Sequence, residues 1–417
     1  MTPETYATEF APRLPGSHLP WLADLRADAA ARFAVAGLPD RKVEAWRYTD
    51  LKAIRGQLFS PRNGQMGAVP PALLPDVHRL VFNNGALVEA AADLPPGVRL
   101  LGIAEAMDQA PELLADHLGR TAAVKGLPLP ALNQAMSEDG YLLVLEPGVT
   151  LAQPIEVLFL NQQGTSHPRN LILAQAGSRA TVIEHYLGQG EEAYFLNAVT
   201  EIQLQAGAEI RRYKIQREAL AASHIATVGA QLAETAKFEN FDLNLGARLA
   251  RSEIHVALQG RSAAADLNGI YLLRGKQHCD NAIHIDHVVG ATDSQQDYRG
   301  ILDDRSHGVF QGKITVRPNA QGIEGHQLNK TLLLSDKAEI DSKPELEILA
   351  DDVKCSHGAT AGELDETGMF YLRSRGIPEW EARQLLMTAF VAQTLEKAGD
   401  APVRAVMEQL VADWMGS

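Results

Sequence analysis

The chain has 417 residues, enough for one large core or for two to three domains, and its 46% hydrophobic and 22% charged content is that of an ordinary globular protein. A formal net charge of −14 argues against nucleic acid as the main partner, because phosphate binding needs basic patches. No apolar run reaches the roughly 18 residues of a membrane-spanning helix, so no membrane segment is expected.

The first region of the chain, residues 1–138, is predicted to be mostly helical. An Ala- and Arg-rich run follows Leu19 and ends at Gly37, with Pro39 close behind. Glycine adopts the left-handed conformation at a helix end, and proline cannot continue a helix. These signals predict a helix that ends at residue 36.

Three further segments of this region are predicted from composition. Residues 41–51 (RKVEAWRYTDL) indicate a short helix and turn. Residues 61–75 are rich in proline and glycine and indicate a loop, and residues 103–118 indicate one later helix.

The N-terminus lacks the basic and apolar segments of a secretory signal. We therefore expect a cytoplasmic chain whose two cysteines are reduced thiols.

From residue 139 to residue 362 the pattern changes to short strands. Apolar and polar residues alternate with a period of two, the strand signal, at Ile202/Leu204, Ile254/Val256/Leu258, Ile314/Val316 and Leu346/Ile348. Turn-like clusters of small residues recur between such runs, at 176–178, 206–208, 245–247 and 259–261. This region is too long for one simple sandwich, so a parallel β-solenoid or a pair of packed sheets fits better. We prefer the solenoid, whose open end strands need caps or partners.

The last region, residues 363–417, is predicted to return to helix. One helix can begin at Pro378 and end at Gly399, and a second amphipathic helix follows Pro402. The first carries an apolar stripe formed by Leu385, Leu386, Phe390, Val391 and Leu395. Two such helices after a β-region either cap the solenoid or present a docking face to another protein, and the pattern does not decide between these roles.

One segment of the β-region carries ligand chemistry, residues 350–360 (ADDVKCSHGAT). Cys355 and His357 are residue types that iron, zinc and iron–sulfur centres prefer. In an extended segment, side chains two residues apart point to the same face, so both can reach one ion. Two protein ligands do not complete a four-coordinate site, so the segment is interpreted as half of a metal or cluster site. The alternative is that Cys355 is a small buried hydrophobic residue.

A second cluster, residues 277–287 (QHCDNAIHIDH), contains three histidines, a cysteine and two aspartates. Its composition suits a metal site. On a strand, His284 and Asp286 share one face and His287 lies on the other. The interpretation that we favour is a polar outer face, or a ladder of hydrogen-bonded side chains between solenoid coils.

Catalytic motifs are incomplete or absent in the sequence. Residues 308–315 (GVFQGKIT) resemble a phosphate loop, but that motif needs glycine at 307 and Ser or Thr at 314, where the chain has His307 and Ile314. No G-x-G-x-x-G, G-x-S-x-G or H-E-x-x-H motif occurs. We therefore expect a non-enzymatic protein.

Two acidic pairs keep an enzymatic alternative open. Asp303/Asp304 and Asp351/Asp352 suit the general acid and base of a β-helical enzyme that acts on carbohydrate. Such pairs more often form turns or lie exposed on the surface. The enzymatic alternative expects turnover by the isolated chain and damage on changing Asp303 or Asp304.

Several segments together resemble the SufB/SufD family of iron–sulfur cluster assembly proteins. They are residues 41–51 (RKVEAWRYTDL), 310–316 (FQGKITV), 327–335 (QLNKTLLLS), 343–362 (KPELEILADDVKCSHGATAG) and 364–376 (LDETGMFYLRSRG). The last two are long and specific, and the resemblance runs from about residue 40 to the C-terminus. The AWRYTDL segment and the chain length are more similar to the SufD branch than to the SufB branch.

The resemblance implies a right-handed parallel β-helix between N-terminal and C-terminal helical regions. It also implies a subunit that pairs with a SufB-like paralogue through its β-helix end and docks a SufC-like ATPase through its C-terminal helices. In the family, the Cys-x-His of the SufD branch lies at the SufB–SufD interface, and the matching positions here are Cys355 and His357. A transient iron–sulfur cluster or iron, shared with the partner, is expected there, and none is expected in the isolated chain.

Two consequences of this resemblance can be tested. ATP-driven movement transmitted through the C-terminal helices is expected to expose buried ligands, and changes around Leu386 and Phe390 are expected to abolish ATPase docking. The rival interpretations are the stand-alone carbohydrate-active enzyme and a self-sufficient metal-binding homodimer. In the homodimer, a two-fold axis brings two Cys355/His357 pairs together.

Overall fold

The computed structural model describes residues 3–56, 66–121 and 126–416, and strands are its main element. The strands are β1 His78–Asn83, β2 Ala86–Glu89, β3 Val98–Gly102, β4 Tyr141–Leu145, β5 Ile155–Asn161, β6 Gly164–Ser166, β7 Arg169–Ala174, β8 Arg179–Gly188, β9 Tyr194–Leu204, β10 Glu209–Arg217, β11 Ser223–Leu232, β12 Lys237–Asn244, β13 Leu249–Leu258, β14 Ala264–Leu273, β15 His278–His287, β16 Asp293–Leu302, β17 His307–Val316, β18 Ile323–Leu333, β19 Glu339–Ile348 and β20 Val353–Gly362. All four alternating runs predicted as strands lie within these elements, in β9, β13, β17 and β19.

The strands form a parallel β-solenoid of about eight turns. Sheet A has the order β2-β1-β5-β8-β10-β12-β14-β16-β18-β20, and sheet B has the order β19-β17-β15-β13-β11-β9-β7-β4-β3 with β6 beside β9. Consecutive strands from β8 to β20 alternate between the sheets, and each pairs in parallel with the strand two positions away. This connectivity confirms the predicted solenoid. Among the strands of the described ranges, antiparallel pairs occur only at the N-terminal end of the solenoid, between β1 and β2 and between β3 and β4.

The interior of the solenoid, here called the lumen, is filled by one face of every strand. Aromatic rings stack along its N-terminal part, with ring centroids 5.2 Å apart for Phe82 and Phe159 and 4.9 Å apart for Phe159 and Tyr186. Turns stack as well: Gly177 and Gly207 both have left-handed φ angles, 69° and 70°, that favour glycine. The predicted clusters of small residues are therefore solenoid corners.

The helices lie at both ends of the sequence. They are α1 Pro3–Thr5, α2 Pro20–Ala36, α3 Ile103–Gln109, α4 Pro111–His117, α5 Pro128–Met136, α6 Glu366–Ser374, α7 Glu379–Leu395 and α8 Ala401–Gly416, with a π-helical turn at Tyr6–Phe10 and 3-10 turns at Ala11–Arg13, Glu44–Trp46 and Lys52–Ile54. The predicted helix that ends before Gly37 is confirmed as α2. None of the helices in these described ranges is long and apolar enough to cross a membrane.

Several details of the N-terminal region differ from the prediction. The helix expected at 103–118 is two helices, because Pro111 begins a new helix after Ala110 leaves the helical conformation. Strands β1–β3 were not predicted, and β1 continues sheet A. Residues 61–65 of the predicted loop lie outside the described residues, and residues 66–75 contain no helix or strand.

The C-terminal helices differ from the prediction in number and in the face that they bury. Helix α6 was not predicted, and α7 ends at Leu395 rather than at Gly399. Helices α7 and α8 pack on the outer face of sheet A, where Met387 and Val391 meet apolar strand residues. The predicted stripe is wrong at Leu385, which is 46% exposed, because the turn of the helix directs Met387 rather than Leu385 at the sheet.

A buried ionic network crosses the lumen in the middle of the solenoid. Arg212 donates to the Glu184 carboxylate at 2.6 Å, and its other terminal nitrogen lies 3.5 Å from Asp242. Lys214 lies 3.3 Å from Asp242. All four side chains are at most 1% exposed. Each of these buried charges is stabilised by its ion-pair partners, because neither water nor bulk counterions can replace a partner that is lost.

Candidate metal half-site at the end of the solenoid

Cys355 and His357 lie on β20, which is the last strand of sheet A. This strand pairs with β18 on one side and is an edge on the other. Strand β19 is the corresponding edge of sheet B. An edge strand presents unpaired backbone N–H and C=O groups to anything that can add a strand. The two candidate ligands therefore lie at the open C-terminal end of the solenoid.

The register shows that both side chains belong to the lumen face. Cys355 is the partner of Gly325 and His357 is the partner of Gln327, and both of these β18 residues are buried while their sequence neighbours are half-exposed. Cys355 packs beside the small apolar cluster of Ile314 and its neighbours. The prediction that the two side chains share one face is confirmed.

The last turn leaves the lumen open at an end that we call the lumen mouth. Its inward residues come from alternate positions of the two edge strands: Ile340, Ser342, Pro344, Leu346 and Ile348 on β19, and Val353, Cys355, His357, Ala359 and Ala361 on β20. Most are small or apolar. Ile348 and the following Leu349 are 40% and 54% exposed. Apolar side chains at an open sheet edge are typical of a surface that another protein covers.

Cys355 has features of both predicted roles, a metal ligand and a small buried hydrophobic residue. The side chain is half-buried, and burial raises the pKa of the thiol above its ordinary value. Lys354 does not assist, because it points outward and pairs with Glu324 at 2.5 Å. The free thiol is therefore protonated at neutral pH, and a metal ion would have to displace the proton on binding.

The two cysteines are expected to differ in reactivity. Cys279 is fully buried, and burial raises its pKa to about 12, whereas Cys355 lies at the open mouth. We expect one thiol per native chain to react with a disulfide reagent at pH 8, more slowly than free cysteine, and the second to react only after unfolding. A thiol titration with and without denaturant measures this. The Cys355→Ser variant should lose the native signal, and two rapidly reacting thiols in the wild-type chain would contradict the assignment.

Polar side chains close the lumen directly beneath the mouth. Gln327 donates from Nε2 to the backbone carbonyl of Glu345 at 3.2 Å, which links sheet A to β19 of sheet B. Asn329 donates to Ser342 at 3.3 Å and accepts from Tyr271 at 3.0 Å. The alternation of the polar residues Gln327, Asn329 and Thr331 along β18 is visible in the sequence. Only the register between β18 and β20 shows that this polar layer lies under His357.

The histidine cluster on β15 is a ladder of hydrogen bonds, as favoured from the sequence. On the outer face, His278 and His307 contact each other through Nδ1 at 3.2 Å, and His307 contacts Asp341 at 2.8 Å. Burial lowers the pKa of His278 to about 4, so its ring is neutral at pH 7. His287 lies on the opposite, lumen face, with Thr292 and Ser294 as partners. Within the described ranges no group of three or more His, Cys, Asp or Glu could hold a metal ion.

Residues 41–51 lie across the outer face of sheet B. The Trp46 ring is 3.9 Å from the guanidinium carbon of Arg251, and Thr49 donates to Asp280 at 2.5 Å. Glu44 pairs with Lys343 of β19 at 2.7 Å. This segment therefore ties the N-terminal region to the edge strand that borders the mouth.

The acidic pairs occupy solenoid corners. Asp304 has a left-handed φ of 54°, and its carboxylate accepts from the Gly275 backbone at 2.9 Å. Asp303 accepts from the backbone N–H of Asp304 at 2.8 Å. Asp351 and Asp352 are exposed between β19 and β20. The side chains of Asp303 and Asp304 make the contacts of turn formers, and Asp351 and Asp352 are exposed charges.

A groove of about 800 Å³ lies between α6, the start of α7 and the corner at residues 333–338. Its lining includes Leu334, Met369 and Phe370 together with Arg373 and Arg383. Three aromatic residues of this part of the chain are largely exposed: Phe370 at 76%, Tyr371 at 57% and Trp380 at 64%. By contrast, Phe390 lies against Arg299, with its ring centroid 5.4 Å from the guanidinium carbon.

Comparison with known families assigns most of the chain. The model of the SUF system FeS cluster assembly SufBD core domain matches residues 158–390. The model of the SufBD protein N-terminal region matches residues 76–157. The two matches adjoin within β5 of the solenoid, so the matched N-terminal region includes the first strands of the solenoid.

Similar proteins come from distant organisms. An iron–sulfur cluster assembly SufBD family protein of Synechocystis sp. is 31% identical over 94% of this chain and 90% of its own length. The iron–sulfur cluster assembly protein SufD of Escherichia coli is 31% identical over 87% of this chain and 86% of its own length. A chloroplastic protein of Arabidopsis thaliana is 28% identical over 94% of this chain and 85% of its own length.

Proposed function

Because the chain belongs to the SufBD family of iron–sulfur cluster assembly proteins, we propose that it is a SufD-type, non-enzymatic subunit of a cytoplasmic SUF complex. It pairs with a SufB-like paralogue through the lumen mouth and docks a SufC-like ATPase through its C-terminal helices. Iron or a nascent cluster is its cargo, held transiently by Cys355 and His357 together with ligands of the partner.

One observation carries this proposal: Cys355 and His357 face the lumen at a free sheet edge. A tetrahedral or cluster site needs about four ligands, and the described residues offer no third His, Cys, Asp or Glu within reach. An added partner strand would bring further ligands to the same mouth. The proposed pairing therefore accounts for both the open edge and the incomplete ligand set.

The proposal is tested by anaerobic co-expression with SufB and SufC partners, followed by measurement of copurification, iron and acid-labile sulfide. Stable association with both partners and iron and sulfide in the complex are expected. The same mouth could also pair with a second copy of this chain, since an edge strand can add to itself. A chain that remains a homodimer in the presence of the SufB partner, and binds metal in that form, would favour this second candidate.

The site of ATPase docking is proposed to be the exposed aromatic face of α6 and the start of α7. The face around Leu386 and Phe390 suits docking less well, because Phe390 packs on the solenoid and Leu386 lies beside Gly368 of α6. Exposed aromatic residues beside arginines are typical of binding hot spots. Phe370 and Trp380 are the main candidates.

Changing these aromatic residues should weaken ATPase binding without unfolding the chain. A hot-spot aromatic residue contributes about 2 kcal/mol or more, so Phe370→Asp and Trp380→Asp should each weaken SufC binding by about 30-fold. Calorimetry with purified SufC measures this. Val35→Asp is the matched control, because Val35 of α2 is 91% exposed and lies in the N-terminal region. Unchanged SufC affinity in both aromatic variants would exclude this face.

A further inference from the structure

One buried side chain lies directly below the proposed ligand His357. Gln327 of β18 is the register partner of His357 and is 3% exposed. Partners in adjacent parallel strands lie about 4.8 Å apart, with side chains on the same face of the sheet. The Gln327 carboxamide therefore lies in the layer of lumen side chains immediately below His357, which is the layer nearest to any metal that His357 holds at the mouth.

The carboxamide has a fixed donor end and a free acceptor end. Its Nε2 donates to the Glu345 carbonyl. Its Oε1 is buried and has no hydrogen-bond partner among the described residues. A buried acceptor without a partner costs about 1–3 kcal/mol. This oxygen lies over Gly312, where an added Cβ would force the oxygen to move, so glycine at that position leaves room for the acceptor in its present place.

The mouth above this oxygen has room for an imidazole ring. The inward-facing residues on either side of His357 along β20 are Cys355 and Ala359, and the inward-facing residues of β19 include Ser342 and Pro344; all four side chains are small. His357 is exposed, so its ring can turn inward without displacing a packed neighbour. A histidine that binds a metal through one ring nitrogen usually donates the N–H of the other to an acceptor, which fixes the tautomer.

We propose that Gln327 is a positioning residue for His357: its Oε1 accepts a hydrogen bond from one ring N–H of His357 while the other ring nitrogen binds the metal. The inference rests on the proposed function, in which Cys355 and His357 hold the cargo. It also assigns a role to two segments of the sequence, because Gln327 lies in QLNKTLLLS and Gly312 lies in FQGKITV.

The test uses the full chain, reduced and anaerobic, titrated with excess Co²⁺ as the probe. Thiolate-to-cobalt absorption reports binding at Cys355, and the Cys355→Ala and His357→Ala variants define its loss. Gln327→Leu removes the acceptor and should weaken Co²⁺ binding by about 10- to 100-fold, the usual effect of losing the partner of a ligating histidine. Gln327→Glu keeps an acceptor and should bind at least as tightly as the wild-type chain.

Gln296 provides the matched control. It is the register partner of Gln327 one strand deeper, is 2% exposed, and likewise has unpartnered amide atoms, but it does not adjoin His357. Gln296→Leu should leave Co²⁺ affinity unchanged. As a second readout, ¹⁵N shifts of His357 with Zn²⁺ bound should show one tautomer in the wild-type chain and in Gln327→Glu, and a mixture in Gln327→Leu.

Each outcome decides something different. If His357→Ala binds Co²⁺ as well as the wild-type chain does, the ligand role of the pair fails and this inference fails with it. If His357→Ala loses binding while Gln327→Leu retains it, only the role of Gln327 is overturned. Equal losses in Gln327→Leu and Gln296→Leu would assign the effect to lumen packing. Should Gln327→Leu not fold, two ring tautomers of Zn²⁺-bound His357 in the wild-type chain would overturn the proposal on their own.

Discussion

Replacing His357 by alanine is expected to reduce cluster formation in the assembled complex to the background level. The side chain is exposed at the lumen mouth, so its removal leaves no buried cavity and should not change the stability of the chain. What it removes is one of two candidate ligands at an already incomplete site. Loss of one ligand from a site of about four is expected to prevent stable cluster assembly.

Anaerobic co-expression with SufB and SufC partners measures this effect through iron, sulfide and visible absorption. Cys355→Ala is expected to act in the same direction. His326→Ala is the control, because His326 lies on the outer face of β18, where it contacts Ser356 at 2.7 Å. Equal cluster yield in the wild-type complex and in all three variants would remove the assigned role from Cys355 and His357.

The solenoid could be predicted from the sequence because its pattern is local and repeated. Runs such as Ile254, Val256 and Leu258 alternate with polar residues, and small residues mark the corners between runs. A period of two reports that a segment is a strand with one buried face. It does not report the partner of the strand, and the pairing of β18 with β20 depends on how successive coils stack in the fold.

The candidate ligands could be predicted, but their setting could not. The spacing of Cys355 and His357 placed them on one face, and the resemblance gave them a role. The register of β20 with Gly325 and Gln327 of β18 shows that this shared face is the lumen face and not the outer face. The positioning role inferred for Gln327 depends on the same register, because 30 residues of sequence separate it from His357.

The helical regions were the least predictable part of the chain. The apolar residues of α7 are too numerous to define one stripe, so the buried face followed from packing against sheet A and not from composition. Helix α6 escaped prediction because it buries no residue completely. A helix with exposed Phe370 and Tyr371 suits contact with another protein better than contact with its own core.

Two neighbouring arginines of β10 differ in their exposure to water, and only one of them belongs to the buried ionic network. Arg212 and Arg211 follow each other on β10, so they point to opposite faces of sheet A. Arg212 is 1% exposed and pairs with Glu184, whereas the exposed fractions of the Arg211–Glu239 pair are 43% and 40%. Burial alone would raise the pKa of Glu184, but Arg212 and two tyrosine hydroxyls hold it below its ordinary value, so the carboxylate is charged in the lumen.

Arg212→Ala is therefore expected to lower the free energy of unfolding by about 3–5 kcal/mol, because it leaves the Glu184 charge buried without its cation. Arg211→Ala should cost at most about 1 kcal/mol, since water replaces an exposed partner. Denaturant unfolding of the two variants measures the difference. Neutralising the carboxylate as well, in an Arg212→Met/Glu184→Gln variant, should recover part of the loss. Equal losses from Arg211→Ala and Arg212→Ala would mean that solvent reaches the lumen and that the network is not isolated from water.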